Sequence, residues 1–303
     1  MKEVIQCPNC KSPSKRRFVK VPDRHYGIKG VFSYSICAAC ELVYLDPMPD
    51  DDELMAFYPE DSYYSYNVEF APPEPAWKEA IRKLLFLNYK TKDPEFSNPG
   101  KMLDIGCGNG WFIYMMREKG WEVRGVEPSK AGAEAGRSAG KLDIHHGDLI
   151  SANYPAESFD YVRSNHSFEH IPNPNEVLDE MYRILKPGGK AFIGVPNINS
   201  VNGKSFHKFW YYLGAPVHTF NYSDKTLPDM LKRHRFRNIK VNYNSNYSGI
   251  LGSIQIYLNK DSSRKSHEGF VFNFFPFKIL AGLFSKAFDA TRRGDCVEVI
   301  FEK

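Results

Sequence analysis

The chain has 303 residues, of which 42% are hydrophobic and 25% charged, and a mean hydropathy of −0.46. At roughly 100–200 residues per domain this predicts one large domain, or a large one with a small companion, and the composition excludes wholesale disorder. The net charge of +4 is too small to imply a DNA partner. The nearest thing to a spanning helix, Phe270 to Phe288, is broken by Asn273, Pro276, Lys278 and Lys286. Met1 to Pro8 lacks the apolar stretch of a signal peptide, so the cytoplasm is the expected compartment.

The charge is unevenly spread. Residues 1–40 carry eight Lys/Arg against Glu3 and Asp23, a net +6, which leaves −2 for the rest. That basic end also holds Cys7-Pro8-Asn9-Cys10 and Cys37-Ala38-Ala39-Cys40, two C-x-x-C knuckles separated by 26 residues. Four thiolates in two close pairs suit tetrahedral zinc, and with four protein ligands the metal would be structural. The spacer exceeds the usual length, and a hairpin insertion would absorb the excess. Lys15-Arg16-Arg17 reads as a solvated loop. Glu41 to Leu45 reads as a strand, Asp51 to Tyr58 as a short helix with acids in its first turn, and the proline-dense Ala71 to Pro75 as a linker. Trp77 to Tyr89 reads as an amphipathic helix. The expected organisation is a zinc-ribbon-like unit over 1–65, a linker and helix over 66–97, and an α/β domain over 98–303.

Lys101 to Ile105 is a predicted strand, Gly106-Cys107-Gly108-Asn109-Gly110 a turn and Trp111 to Lys119 a helix. A strand, glycine loop and helix in that order lets backbone approach a nucleotide closely. The dinucleotide fingerprint would need glycine where Trp111 stands, and the P-loop lysine is absent. Instead Asp104 precedes the loop, and a carboxylate there suits a ligand with a cationic amine rather than a pyrophosphate.

Leu103 to Gly110 resembles motif I of the class I S-adenosylmethionine-dependent methyltransferases. Further matches follow in order over roughly residues 98–245: Trp121 to Val126 ending in Glu127-Pro128-Ser129, Leu142 to His146 followed by Gly147-Asp148-Leu149, Phe159 to Val162 running to Ser164-Asn165-His166, and Lys186-Pro187-Gly188-Gly189 turning into Lys190 to Val195. The resemblance implies a Rossmann-like, mostly parallel sheet with an antiparallel edge strand. It also implies that S-adenosylmethionine is bound by Asp104, Gly106, Cys107, Gly108, Gly110, Glu127, Pro128, Asp148, Leu149 and Asn165, with Glu127 on the ribose hydroxyls and Asp148 on the adenine amino group. The knuckles are similar to zinc-ribbon segments preceding the methyltransferase domain in enzymes of cell-surface polysaccharide and deoxysugar biosynthesis. On that resemblance the acceptor is a small molecule, most plausibly sugar-like, methylated on oxygen or carbon.

His166, Glu169 and His170 follow the fourth predicted strand, and His218 lies in the segment after the fifth. As catalytic candidates they are expected to line the acceptor pocket, where a neutral imidazole would remove a proton. H-x-x-E-H with a distant His also offers ligands for a divalent ion. It is similar to the metal-holding arrangement of small-RNA 2′-O-methyltransferases, which have Glu where His166 stands; the third alternative is that the cluster only caps and packs its turn. Rival readings are an RNA methyltransferase, which the mild charge opposes, and a non-catalytic S-adenosylmethionine-binding protein that docks through its zinc module. The aromatics of 200–222 read either as a lid over the acceptor or as core. A helical insertion is expected over 262–292, where Phe277, Leu280, Ala281, Phe284 and Phe288 form a stripe that reads as packing, or as a peripheral membrane face beside Lys278, Lys286, Arg292 and Arg293. Cys296 to Phe301 reads as a final edge strand.

Overall fold

A computed structural model describes residues 1–58, 75–87, 91–260 and 265–303. The Tyr-rich stretch beyond Tyr58 and the prolines at 72 and 73 lie outside these residues.

The spacer between the knuckles is the hairpin that its length required: β1 (Lys15–Val21) pairs antiparallel with β2 (Phe32–Cys37), which pairs with β3 (Val43–Leu45). Lys15-Arg16-Arg17 therefore opens a strand rather than lying in a loop, and Lys15 Nζ donates to Asp46 at 2.8 Å. The helix α1 (Asp51–Met55) starts at Asp50, whose carboxylate accepts from the Glu53 amide while Glu53 reaches back to the Asp50 amide. These reciprocal bonds satisfy two of the orphan donors at a helix start. The helix α2 (Ala76–Leu84) ends five residues before the expected Tyr89.

The main sheet is built from β4 (Lys101–Ile105), β5 (Glu122–Glu127), β6 (Ile144–His146), β7 (Phe159–Asn165), β8 (Leu185–Pro196), β10 (Arg237–Tyr243) and β11 (Cys296–Glu302). Their order is β10-β11-β8-β7-β4-β5-β6; β4 to β8 run parallel, and β11 is antiparallel to both its neighbours, β8 and β10, towards one edge. Cys296 to Phe301 is thus the second strand in, not the outermost. Sandwiched between β8 and β10, it buries Val297, Val299 and Phe301 completely. The Lys186-Pro187-Gly188-Gly189 turn is drawn into the start of β8, and an irregularity in its pairing with β7 absorbs it. Helices α3 (Trp111–Arg117), α4 (Lys130–Ala139), α5 (Pro174–Ile184) and α7 (Thr226–Arg233) follow β4, β5, β7 and, after an excursion, β8. The strand order runs away from β4 in both directions, so the crevice at its C-terminal end is the topological switch point where ligands bind in open α/β sheets.

Two features cross the expected boundary near residue 65. The short strand β9 (Phe220–Asn221) pairs with β3 and completes the ribbon's sheet. Cys7, Cys37, Leu42 and Tyr44 share a core with Phe220, Leu227 and Leu231.

Of the two readings of 200–222, lid or core, the structure has core. Around α6 (Val201–Phe206), Phe206, Trp210 and Leu213 pack under the ribbon's sheet with Val19, Tyr34 and Leu45, and Trp210 Nε1 donates to buried Asp295 at 3.2 Å. They pack against a helix that the sequence did not signal, α8 (Ser248–Leu258), whose Gly252 lets it come against the Tyr211 ring. The insertion holds α9 (Phe270–Asn273) and α10 (Phe275–Ala290). Its stripe is not packed as expected: Ala281 is buried, but Leu280 is 52% and Phe284 49% exposed. Among the described residues no helix is long and apolar enough to cross a membrane.

Candidate active site

The loop after β4 turns through Gly106, Gly108 and Gly110, all at positive φ (+69°, +58° and +80°), a region that favours glycine. Space as well as conformation demands it: a Cβ on Gly106 would overlap the Ser167 side chain. The Gly106 and Cys107 amides donate to Val126 O at 2.8 and 3.1 Å, which stitches the loop to β5.

Glu127, at the end of β5, faces this loop. Its Oε2 accepts from the Gly108 amide at 2.7 Å and its Oε1 from the Ser129 amide at 2.9 Å. Each oxygen keeps a lone pair, so the carboxylate is aimed and still able to accept two ligand hydroxyls. Burial raises Glu127 to about 7, against the opposing pull of the two amides. Asp104 is buried beside Arg163, whose Nη1 lies 3.3 Å from Oδ1; burial raises Asp104 to about 6 in spite of the guanidinium. Arg163 also donates from Nε to Asp93 at 2.9 Å and stacks 3.7 Å from the centroid of Phe112. Burial works against ionisation of Asp93, but Arg163 together with hydrogen bonds from Thr91 and Tyr161 outweighs it and holds the carboxyl below its ordinary range.

A cavity of about 1050 Å³ opens over these groups. Asp104, Gly106, Cys107, Gly108, Glu127, Pro128, Asp148, Leu149 and Asn165 line it, so nine of the ten expected cofactor contacts reach one space. Gly110 does not. It sits behind the wall, where a Cβ would meet Leu142 and Ile144, and it starts α3. Asn165 Oδ1 is buried in the wall without a hydrogen bond, an acceptor awaiting a donor. Asp148 is exposed and fixes its own turn, its Oδ1 accepting from the Ser151 amide at 2.6 Å.

Of the four catalytic candidates, His166 and His170 line the cavity, whereas Glu169 and His218 lie behind them, contrary to expectation. His166 has φ +51°, unusual for a non-glycine residue, and its amide donates to Gly194 O at 2.8 Å. The His170 and His218 ring centroids are 4.7 Å apart. Burial lowers both, His218 to about 3, so both are neutral imidazoles at pH 7. Burial raises Glu169, and His166, His170 and His218 together would draw it down to about 2. The first of those pulls is the His166 hydrogen bond; the contributions of His170 and His218 require protonated rings, which burial denies them. His166 Nδ1 lies 3.5 Å from Oε1, at the limit of hydrogen-bond reach, and the two oxygens of this buried carboxyl are otherwise unsatisfied.

Several wall residues escaped sequence reading. Asp51, Leu54, Met55 and Tyr58 bring α1 and the turn after it over the cavity, and the Tyr58 hydroxyl lies 2.7 Å from His170 Nδ1. This segment occupies the place expected for the aromatics of 200–222, none of which line the cavity. Arg163 had a legible signal, a charge inside the otherwise buried strand Phe159–Asn165, which demands a buried partner. Asp93 and Tyr58 had none.

Residues 74–241, more than half of the chain, match the family described as "Methyltransferase domain". The chain belongs to that family. Over 151 residues the chain is 35% identical to a demethylmenaquinone methyltransferase of Listeria welshimeri, covering 46% of this chain and 60% of that protein. Over 105 residues it is 31% identical to a ubiquinone biosynthesis O-methyltransferase of Pseudomonas entomophila, covering 33% of this chain and 45% of the other. The chain thus spans less than two thirds of the length of these curated relatives. In fold it is similar to an S-adenosylmethionine-dependent methyltransferase from Archaeoglobus fulgidus (TM-score 0.50, 20% identity, 80% of this chain and 100% of that one).

Proposed function

We propose that the cavity binds S-adenosylmethionine and that the chain transfers its methyl group to a small acceptor entering under α1 and Tyr58. The observation that carries this reading is Glu127: a buried carboxylate fixed by two amides, each oxygen with a lone pair left, facing a glycine loop across a space of sufficient size. Glu127 accepts the ribose hydroxyls, Asp104 and orphaned Asn165 Oδ1 take the amino-acid end with its ammonium group, and Asp148 and Leu149 hold the adenine. When bound, the cofactor supplies an electrophilic methyl group on a good leaving group. The protein's task is then mostly positioning, which can supply roughly 7–11 kcal/mol. His166 stands where an acceptor proton would be taken.

The acceptor's class is the finer part of the proposal. The zinc-ribbon resemblance favours a sugar or glycan precursor. A second reading is favoured by the wall itself: Leu54, Met55, Ile171 and Pro172 give the outer cavity an apolar face suited to a flat hydrophobic ring, the class to which the names of the quinone-pathway relatives point. Incubating the protein with methyl-labelled cofactor and cell extract tests both. Label in a water-soluble sugar fraction supports the first reading and label in the organic phase the second; no acceptor-dependent label in either contradicts enzymatic methyl transfer.

We also propose that Cys7, Cys10, Cys37 and Cys40 hold structural zinc. Cys7 Sγ lies 3.6 Å from Cys40 Sγ and Cys10 Sγ 3.5 Å from Cys37 Sγ. Those separations are far too long for disulfides and close to the roughly 3.8 Å tetrahedron edge that Zn–S bonds of about 2.3 Å generate.

A further inference from the structure

The cluster behind the cavity wall has the make-up of a second metal site, distinct from the four cysteines. Glu169 is 1% exposed, and apart from a weak contact with His166 neither carboxylate oxygen has a hydrogen-bond partner. A bare buried carboxylate is costly, and among the described residues no arginine, lysine or amide hydrogen-bonds to it. What it has placed there are imidazoles: one ring nitrogen of His170, one of His218 and a Glu169 oxygen lie within 4.8 Å of one another. His166 Nδ1 is 3.5 Å from Glu169 Oε1, a weak contact at the limit of hydrogen-bond reach.

The backbone determines which nitrogen each ring offers. His170 Nδ1 is 2.9 Å from Val217 O and His218 Nδ1 is 3.0 Å from Tyr212 O. A carbonyl only accepts, so both protons sit on Nδ1 and both Nε2 atoms carry lone pairs. Metal-binding histidines are oriented in this way, with the second nitrogen tied to a carbonyl or carboxylate. Tyr58, 2.7 Å from His170 Nδ1, adds to that anchoring.

We propose that Glu169, His170 and His218 bind a divalent first-row transition ion, with His166 as the adjoining group on the cavity side. Two neutral imidazoles and one carboxylate form a mixed nitrogen and oxygen set for an ion of that class, and the set is one ligand short of closed tetrahedral coordination. The cation removes the cost of the lone Glu169 anion. The site does not depend on whether the cavity takes S-adenosylmethionine.

Zinc uptake by the full-length, reduced protein tests this. Elemental analysis after titration with Zn²⁺ and removal of unbound ion should give two equivalents per chain. The absorption spectrum at the zinc edge should then contain, beside sulfur at about 2.3 Å, nitrogen or oxygen neighbours at about 2.0–2.1 Å, a readout that needs no variant. Glu169→Gln and His218→Gln should each retain one zinc and bind the second at least roughly tenfold more weakly. One equivalent in the wild type, a spectrum with sulfur neighbours alone, or a second zinc bound equally well by both variants would overturn the proposal.

Discussion

Stripping zinc from the four cysteines is expected to unfold more than the ribbon. The three strands β1 to β3 belong to a small sheet whose turns at both knuckles would rest on the proposed metal. Structural zinc in short domains is worth about 10–16 kcal/mol, comparable with the whole stability of a typical domain. A linker near residue 72, taken alone, would let the ribbon unfold without consequence for the rest. The pairing of β3 with β9 and the shared core of Cys7, Cys37, Leu42 and Tyr44 with Phe220 and Leu227 argue otherwise. So does the Tyr34 hydroxyl, which donates to His218 O at 2.7 Å. Hydrogen exchange after strong chelation should show loss of protection through β1 to β3, and also around Phe220 and His218. Protection lost only before residue 58 would mean that the ribbon is an independent unit, and unchanged protection throughout would remove the structural role of zinc.

Arg163→Met should destabilise the fold by roughly 3–5 kcal/mol, the usual cost of removing one partner from a buried ion pair. The guanidinium lies between Asp93 and Asp104, and methionine fills much of its volume but leaves buried Asp104 and half-buried Asp93 without their cation. The pH dependence gives a second check. Asp104 is already raised to about 6 with Arg163 present. An acid whose folded-state value lies above its unfolded one contributes stability at low pH and loses it as pH rises through the folded value. Without Arg163 this effect grows, so the deficit measured by urea unfolding should be larger at pH 8 than at pH 5. A variant as stable as the wild type at both pH values would show that the pair is not needed.

The parallel sheet was legible because each strand from Lys101 to Val195 is a short apolar run ending in glycine, an acid or a polar turn, and the chemistry of those ends fixes the order of the ligand groups. Glycines at 106, 108 and 110 could be read because both conformation and space exclude side chains there. Composition could not tell how the aromatics of 200–222 would be used. Trp210 is as suitable for a lid as for a core, and only the presence of β1 and β2 above it and α8 beside it decides the matter. Helix α8 was missed because its residues are apolar on all sides and carry two glycines, so no 3.6-residue stripe stands out. The contribution of α1 and Tyr58 to the cavity depends on contacts across more than a hundred residues, for which local sequence has no signal.

The central claim is that Glu127 binds S-adenosylmethionine, and calorimetric titration of the cofactor into the wild type and Glu127→Ala at several pH values tests it most directly. Glu127 must be ionised to accept two hydroxyls, and burial sets it at about 7 in the free protein. Wild-type affinity should therefore level off above pH 8 and weaken by roughly tenfold per unit well below 7, as expected when only one protonation state binds. Glu127→Ala should lose about 1.5–3 kcal/mol at pH 8, on the order of tenfold to more than a hundredfold, and lose the pH dependence centred near 7, leaving the one that Asp104 imposes near 6. An unchanged affinity and an unchanged pH profile in Glu127→Ala would contradict the assignment.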